Sequence, residues 1–230
     1  MKTYPLLLSL LIIPICVSGQ TPQSIKMNNN KISSEAIKPE LQYIFPDFQN
    51  GKVIMKNSNE VKCKLNYSFL LDEVLFINAN GEKMALANPE DISEVHIANR
   101  LFIPGLKGYC EVIERGAVFL VYKWTCNIAE KGKEGALGIP TDAPSVVQMN
   151  RMSFDAREWK LDVDKDAVVS VEVIPYLKIR SKYISVKGAK DFFKATPGKK
   201  DEIKTYISQN PVDFKKEADL RRLTQYCNSL

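Results

Sequence analysis

Between residues 41 and 125, short apolar runs alternate with polar positions and are punctuated by turn-forming residues, the imprint of an antiparallel sheet. The plainest case is Val61, Cys63, Leu65 and Tyr67, interleaved with Lys62, Lys64 and Asn66. Period two predicts a strand over 61–67 with one face covered and the other wet. It pairs with a strand over 52–56 across Asn57-Ser58-Asn59. Two apolar segments, 73–78 and 82–86, flank Asn80-Gly81, the dipeptide that best supplies the two positive φ values of a type I′ hairpin turn. Asn88-Pro89-Glu90-Asp91 turns the chain into strands over 95–97 and 100–103 around Ala98-Asn99. A further hairpin, 109–114 with 117–124, folds at Arg115-Gly116. The run Val118-Phe119-Leu120-Val121-Tyr122 is apolar without a break, which places it at the centre of the sheet or under cover on both faces.

Beyond residue 126 the pattern changes. Residues 127–150 hold Gly132, Gly135, Gly138, Pro140 and Pro144 with few large apolar side chains, and predict a long loop of the kind that carries function. Alternation returns over 159–163, 168–174, 176–180 and 183–186, predicting strands. Spacings of three and four then take over. Helices are expected over 190–195, stopped by Pro197-Gly198, over 199–209, stopped by Asn210-Pro211, and over 214–228. The last places Ala218, Leu220, Leu223, Tyr226 and Cys227 on one face. Helices this short are marginal alone and must bury their stripes. The fold expected is mainly β: an antiparallel meander of about eight to eleven strands over 41–186, a sandwich or a partly open barrel. An α-helical appendage over 187–230 follows.

The first residues change the picture. Lys2, the apolar stretch from Leu6 to Val17 and Val17-Ser18-Gly19 have the three parts of a secretory signal, with Gln20 as the first mature residue. The apolar stretch is shorter than the ~20 residues of a membrane span, and Pro14-Ile15 before Cys16 argues against a lipidation box. The expectation is an exported protein, periplasmic, outer-membrane-associated or secreted. It has a signal peptide over 1–19, a polar flexible arm over 20–40, and no transmembrane span after cleavage. The net charge of +5 is mild and interspersed with acids, which together with export speaks against a nucleic-acid partner. Cys63, Cys110, Cys126 and Cys227 remain after cleavage; an oxidising compartment permits three full pairings, and buried free thiols are the alternative.

Several stretches, Leu65-Asn66-Tyr67, Asp72-Glu73-Val74-Leu75-Phe76-Ile77, Gly81-Glu82-Lys83-Met84-Ala85-Leu86 and Val95-His96-Ile97-Ala98-Asn99-Arg100-Leu101-Phe102, carry a resemblance. So does the tail from Asp191-Phe192-Phe193-Lys194 through Pro197-Gly198-Lys199-Lys200 to Leu223-Thr224-Gln225-Tyr226. Together they resemble uncharacterised exported β-rich proteins of Gram-negative Bacteroidota. The resemblance implies compartment and layout, and brings no activity and no catalytic residues.

Candidate chemistry is sparse. His96 is the single histidine, too few for a usual metal shell and unaccompanied by a nucleophile motif. Asp162, Asp164 and Asp166 start like a calcium loop, but Ala167 and Val173 stand where Gly and a bidentate Glu are needed. The glycine spacing of 132, 135 and 138 matches neither a dinucleotide fingerprint nor a phosphate loop. No cofactor pattern is present. Gly132, Gly135, Gly138, Trp124 and Trp159 are therefore the candidate ligand or partner surface. The function expected is non-enzymatic binding or scaffolding of another envelope component, a protein or a glycan. A hydrolase acting on envelope polymers is the alternative, with carboxylates such as Glu73, Asp155 or Glu158 brought together by the fold.

Overall fold

The computed structural model describes residues 23–25, 31–33, 37–130, 146–147, 158–160 and 167–230. In chain order the elements are β1 (Gln23–Ile25), β2 (Lys31–Ser33), α1 (Pro39–Gln42), β3 (Gln49–Met55), β4 (Glu60–Ser68), β5 (Glu73–Ile77) and β6 (Lys83–Ala85). Then come β7 (Ile92–Ile97), β8 (Arg100–Gly105), β9 (Gly108–Glu114), β10 (Phe119–Glu130), β11 (Val146–Val147), β12 (Glu158–Lys160), β13 (Ala167–Ile179) and β14 (Lys182–Ser185). The chain ends in α2 (Ala189–Ala195), α3 (Lys200–Gln209) and α4 (Glu217–Ser229). A single antiparallel sheet runs in the order β1-β13-β10-β9-β8-β7-β3-β4-β5-β6, with β11 on β10 and β14 on β13. The small pair β12-β2 stands apart. The protein is thus mainly β, a meander followed by three helices. Of the sandwich and the barrel it takes neither in full: there is one sheet, and among the described residues it does not close.

The sheet nevertheless curls, because right-handed twist accumulates over so many strands. Trp124 of β10 stacks on Phe69, just past β4, with ring centroids 5.0 Å apart, although four strands separate β10 from β4. Tyr67 of β4 stacks on Phe102 of β8 at 5.3 Å. The inward positions are set by the period of two: Phe102 on β8, Tyr109, Glu111 and Ile113 on β9, and Leu120, Tyr122 and Trp124 on β10. They feed two cores. One, under the curl, gathers Val53, Leu65, Tyr67, Phe69, Val74, Val95, Ile97, Phe102, Tyr109 and Trp124. The other packs Ile113, Val118, Leu120, Tyr122 and Leu177 of the sheet side against Phe192, Ile203, Leu220, Leu223 and Cys227 of α2, α3 and α4. On the outer face Ile103, Cys110 and Val121 make a third, smaller cluster. Residues 118–122 are therefore covered on both faces, as their unbroken apolarity implies.

Four local expectations are corrected. The β5–β6 hairpin forms, but of its turn residues only Gly81, φ 82°, has a positive φ, so a type I′ turn is absent. The Asn78 side-chain oxygen instead accepts from the backbone N–H of Asn80 and Glu82, both at 2.9 Å, and the Asn side chain does the work of a second turn. Asn78→Ala is expected to cost about 1 kcal/mol, read as a lower urea midpoint with an unchanged slope. The wet face of β4 dries toward its end. Asn66 and Ser68 are fully buried because the segment after α1 crosses over them, with the Asn66 amide donating to the Phe45 carbonyl at 2.9 Å. Pro175 does not divide the 168–180 region, and β13 runs through it for 13 residues. The Pro175 carbonyl accepts from Val186 N–H at 2.9 Å, so its missing N–H lies on the side away from β10 and breaks no β10–β13 bond. On α4, Thr224 is buried beside Leu220, Leu223 and Cys227, while Ala218 is exposed.

Candidate functional site

The concave face of β8, β9, β10 and β13 forms the floor of the largest cleft, about 740 Å³. Arg100, Glu111, Tyr122, Trp124, Val173 and Pro175 line this floor, and Val186, Lys187, Val212–Lys215, Glu217 and Leu220 close it from the helical side. The cleft exists because the two cores do not merge: a polar girdle separates them. Glu111 is 6 % exposed. Its Oε2 accepts from Trp124 Nε1 at 2.8 Å, and its Oε1 pairs with Arg100 Nε at 3.3 Å. The Arg100 guanidinium lies over the rings of Trp124 and Phe45, at 5.8 and 5.6 Å. Pairing register explains the assembly. Glu111 stands opposite Phe102 on one side and Tyr122 on the other, so the rows holding Arg100 and Trp124 are its diagonal neighbours.

Burial pushes the Glu111 carboxyl above the usual carboxylate range, and the Arg100 charge and the Trp124 hydrogen bond pull against it. With both oxygens engaged, Glu111 holds its neighbours in place and leaves no lone oxygen to relay a proton. Glu217, across the cleft on α4, accepts from Arg221 at 2.9 Å. A second cleft of about 390 Å³ continues past Glu111 and Glu217 toward Arg115 and Arg221. The surface presented is an apolar floor under a rim of both charges.

The sequence candidates fall in different places. Trp124 lies in this cleft, yet it is 7 % exposed, sandwiched between Phe69 and Arg100, and offers an edge rather than a stacking platform. Trp159 lies on β12, its backbone opposite Ile32; its side chain, like Gly132, Gly135 and Gly138, lies outside the described residues. So do Asp155, Asp162, Asp164 and Asp166 and the side chain of Glu158. Glu73 lines a different cleft, behind β5. His96 Nε2 meets Glu94 Oε2 at 3.0 Å, and Arg115 caps the same carboxylate, an ion-pair row on the outside of the sheet. The four cysteines are free. Burial holds Cys110 and Cys227 at about 11 and Cys126 at about 12, so none is a thiolate nucleophile near neutrality. Among the described residues no three His, Cys, Asp or Glu side chains cluster as metal ligands.

Arg100, Glu111, Lys187, Lys215 and Glu217 were not legible as site residues. Glu111 carried a signal: an acid at an inward position between Tyr109 and Ile113 must find partners. The rim residues carried none, since their approach depends on how the helices dock. Comparison with protein-family models, with curated proteins and with solved structures finds no match to this chain.

Proposed function

We propose that the protein is an exported, non-enzymatic binding module of the cell envelope. In this reading it receives a segment of another envelope component, a protein or a glycan, in the cleft between sheet and helices. The observation that carries the reading is the cleft itself. It is large enough for a peptide- or sugar-sized group, apolar at its floor and charged of both signs at its rim. Its one deeply buried acid, Glu111, is tied at both oxygens to Arg100 and Trp124. Export is supported by the three-part N-terminus and by the resemblance to exported proteins of Bacteroidota.

The test is a photo-crosslinking side chain at Lys215, on the rim, in the full-length chain in cells. The expected result is one dominant covalent adduct that disappears in Val212→Trp, which fills the cleft, at an unchanged thermal midpoint. An adduct pattern indifferent to Val212→Trp, or no adduct, overturns the reading. Fractionation of the same cells checks the compartment: a chain processed at Gln20 and outside the cytoplasm is expected, and an unprocessed cytoplasmic chain counts against export.

A further inference from the structure

We propose that the cleft enclosed by the start of β5, the turn at Pro89–Asp91 and the β8–β9 hairpin binds a primary ammonium group on an aliphatic stem. The group is that of a lysine side chain or of a free alkylamine. This cleft, about 560 Å³, shares no lining residue with the sheet–helix cleft. At its base stands Tyr109, 3 % exposed, whose hydroxyl has no hydrogen-bond partner among the described residues. A buried hydroxyl left this way bears its full desolvation penalty, so the position favours a ligand that satisfies it. Glu73 and Glu90 line the same cleft, and their charges, after burial, raise the phenol's pKa. The hydroxyl is therefore a neutral oxygen in a negative field.

The rest of the lining selects the cation. Asp72, at one side, is already neutralised by Lys123 and adds little. The chain's own Lys107 stands at the mouth, where it screens the carboxylates from bulk cations. Leu86, Pro89 and Pro104 give apolar walls that suit methylenes better than a hydrated ion. Two carboxylates and a phenol match the three N–H donors of an ammonium, whereas a divalent metal would want more ligands than the described residues offer here.

The experiment follows the backbone amide resonances of Gly105, Gly108 and Tyr109 in the full chain at low ionic strength, titrated with butylammonium and with 1-butanol. Saturable shifts are expected with butylammonium and none with the alcohol. Affinity is expected to fall at least tenfold in Glu90→Gln and in Tyr109→Phe. Tyr109→Phe removes an unsatisfied hydroxyl, so its thermal midpoint should equal or exceed that of the parent, and its weakened binding cannot be read as unfolding. Exposed Glu90 gives a second variant with no folding burden. Nα-acetyl-lysine methylamide distinguishes the sources: tighter binding than butylammonium assigns a peptide side chain, and equal or weaker binding assigns a free amine. Shifts that do not saturate, an equal response to 1-butanol, or an affinity unchanged in either variant overturns the proposal.

Discussion

A chain ending at residue 186 is expected to lose cooperative unfolding altogether. The three helices read from the sequence as an appendage, yet they complete a core. Ile113, Val118, Leu120, Tyr122 and Leu177 all lie against Phe192, Ile203, Leu220, Leu223 and Cys227. Exposing five such sheet side chains, at about 2 kcal/mol each, forfeits about 10 kcal/mol. That is the scale of a whole domain's stability, about 5–15 kcal/mol. Polar ties go with them: Asn228 Oδ1 accepts from Val118 N–H at 2.8 Å while its Nδ2 donates to Val118 O at 2.9 Å. The truncated chain is expected to bind a hydrophobic dye and to melt without a cooperative step, keeping much of its β signal in circular dichroism. The milder Leu220→Ala, which only opens a cavity, is expected to cost about 3 kcal/mol and to lower the melting temperature by about 6–12 °C. A truncated chain that melts cooperatively within a few degrees of the parent would show the helices to be dispensable.

The β layout was legible because pairing is local and alternation is written residue by residue. Val61 to Tyr67, the 73–86 hairpin and the break at Arg115-Gly116 all needed only neighbours a few residues away. What escaped was whatever depends on long-range closure. Alternation cannot tell that Asn66 is covered by the segment following α1, since both a wet and a capped polar position look alike. Nor can it tell that β10 returns to touch Phe69, which decides that Trp124 is sandwiched rather than displayed. The cleft belongs to the same class of fact. Its floor could be read in part from the inward set Tyr109-Glu111-Ile113 and Leu120-Tyr122-Trp124, but its rim is made by Lys187, Lys215 and Glu217, which look like any solvated charges. A charged residue inside an apolar strand was the one neglected clue, and β10 contains one at Lys123.

Lys123→Met is expected to be the most damaging single change of charge, and damaging in a pH-dependent way. Asp72, at a φ of 56°, receives Lys123 Nζ on both carboxylate oxygens, at 2.5 and 2.6 Å, and the Tyr67 hydroxyl at 2.7 Å. Lys123 also donates to the Tyr109 carbonyl at 3.3 Å. One ammonium thus joins β10, β9 and the turn after β4, pinning the curl shut. Gly108 leaves the room: a Cβ there would lie 2.3 Å from the Asp72 carboxylate, so no other residue fits without moving it. Removing one partner of a buried pair costs about 3–5 kcal/mol. With the Asp72 side chain 23 % exposed and Lys123 12 %, partial solvation reduces this to about 2–3 kcal/mol.

Burial already raises the Asp72 carboxyl above its ordinary value, with Lys123 as the chief opposing influence, and in Lys123→Met that opposition is gone, so the folded-state pKa climbs further. A carboxyl whose folded pKa exceeds its unfolded pKa favours folding fully below the unfolded value and loses that contribution as pH rises through the folded value. The stability gap between parent and variant should therefore be largest at neutral pH and narrow as the medium is acidified toward the unfolded-state pKa. Urea melts at stepped pH give the gap directly, and Asp72→Asn combined with Lys123→Met should recover most of the loss at pH 7. If the double variant is as unstable as Lys123→Met alone, or if the gap does not change with pH, the buried charge is not what holds the curl together.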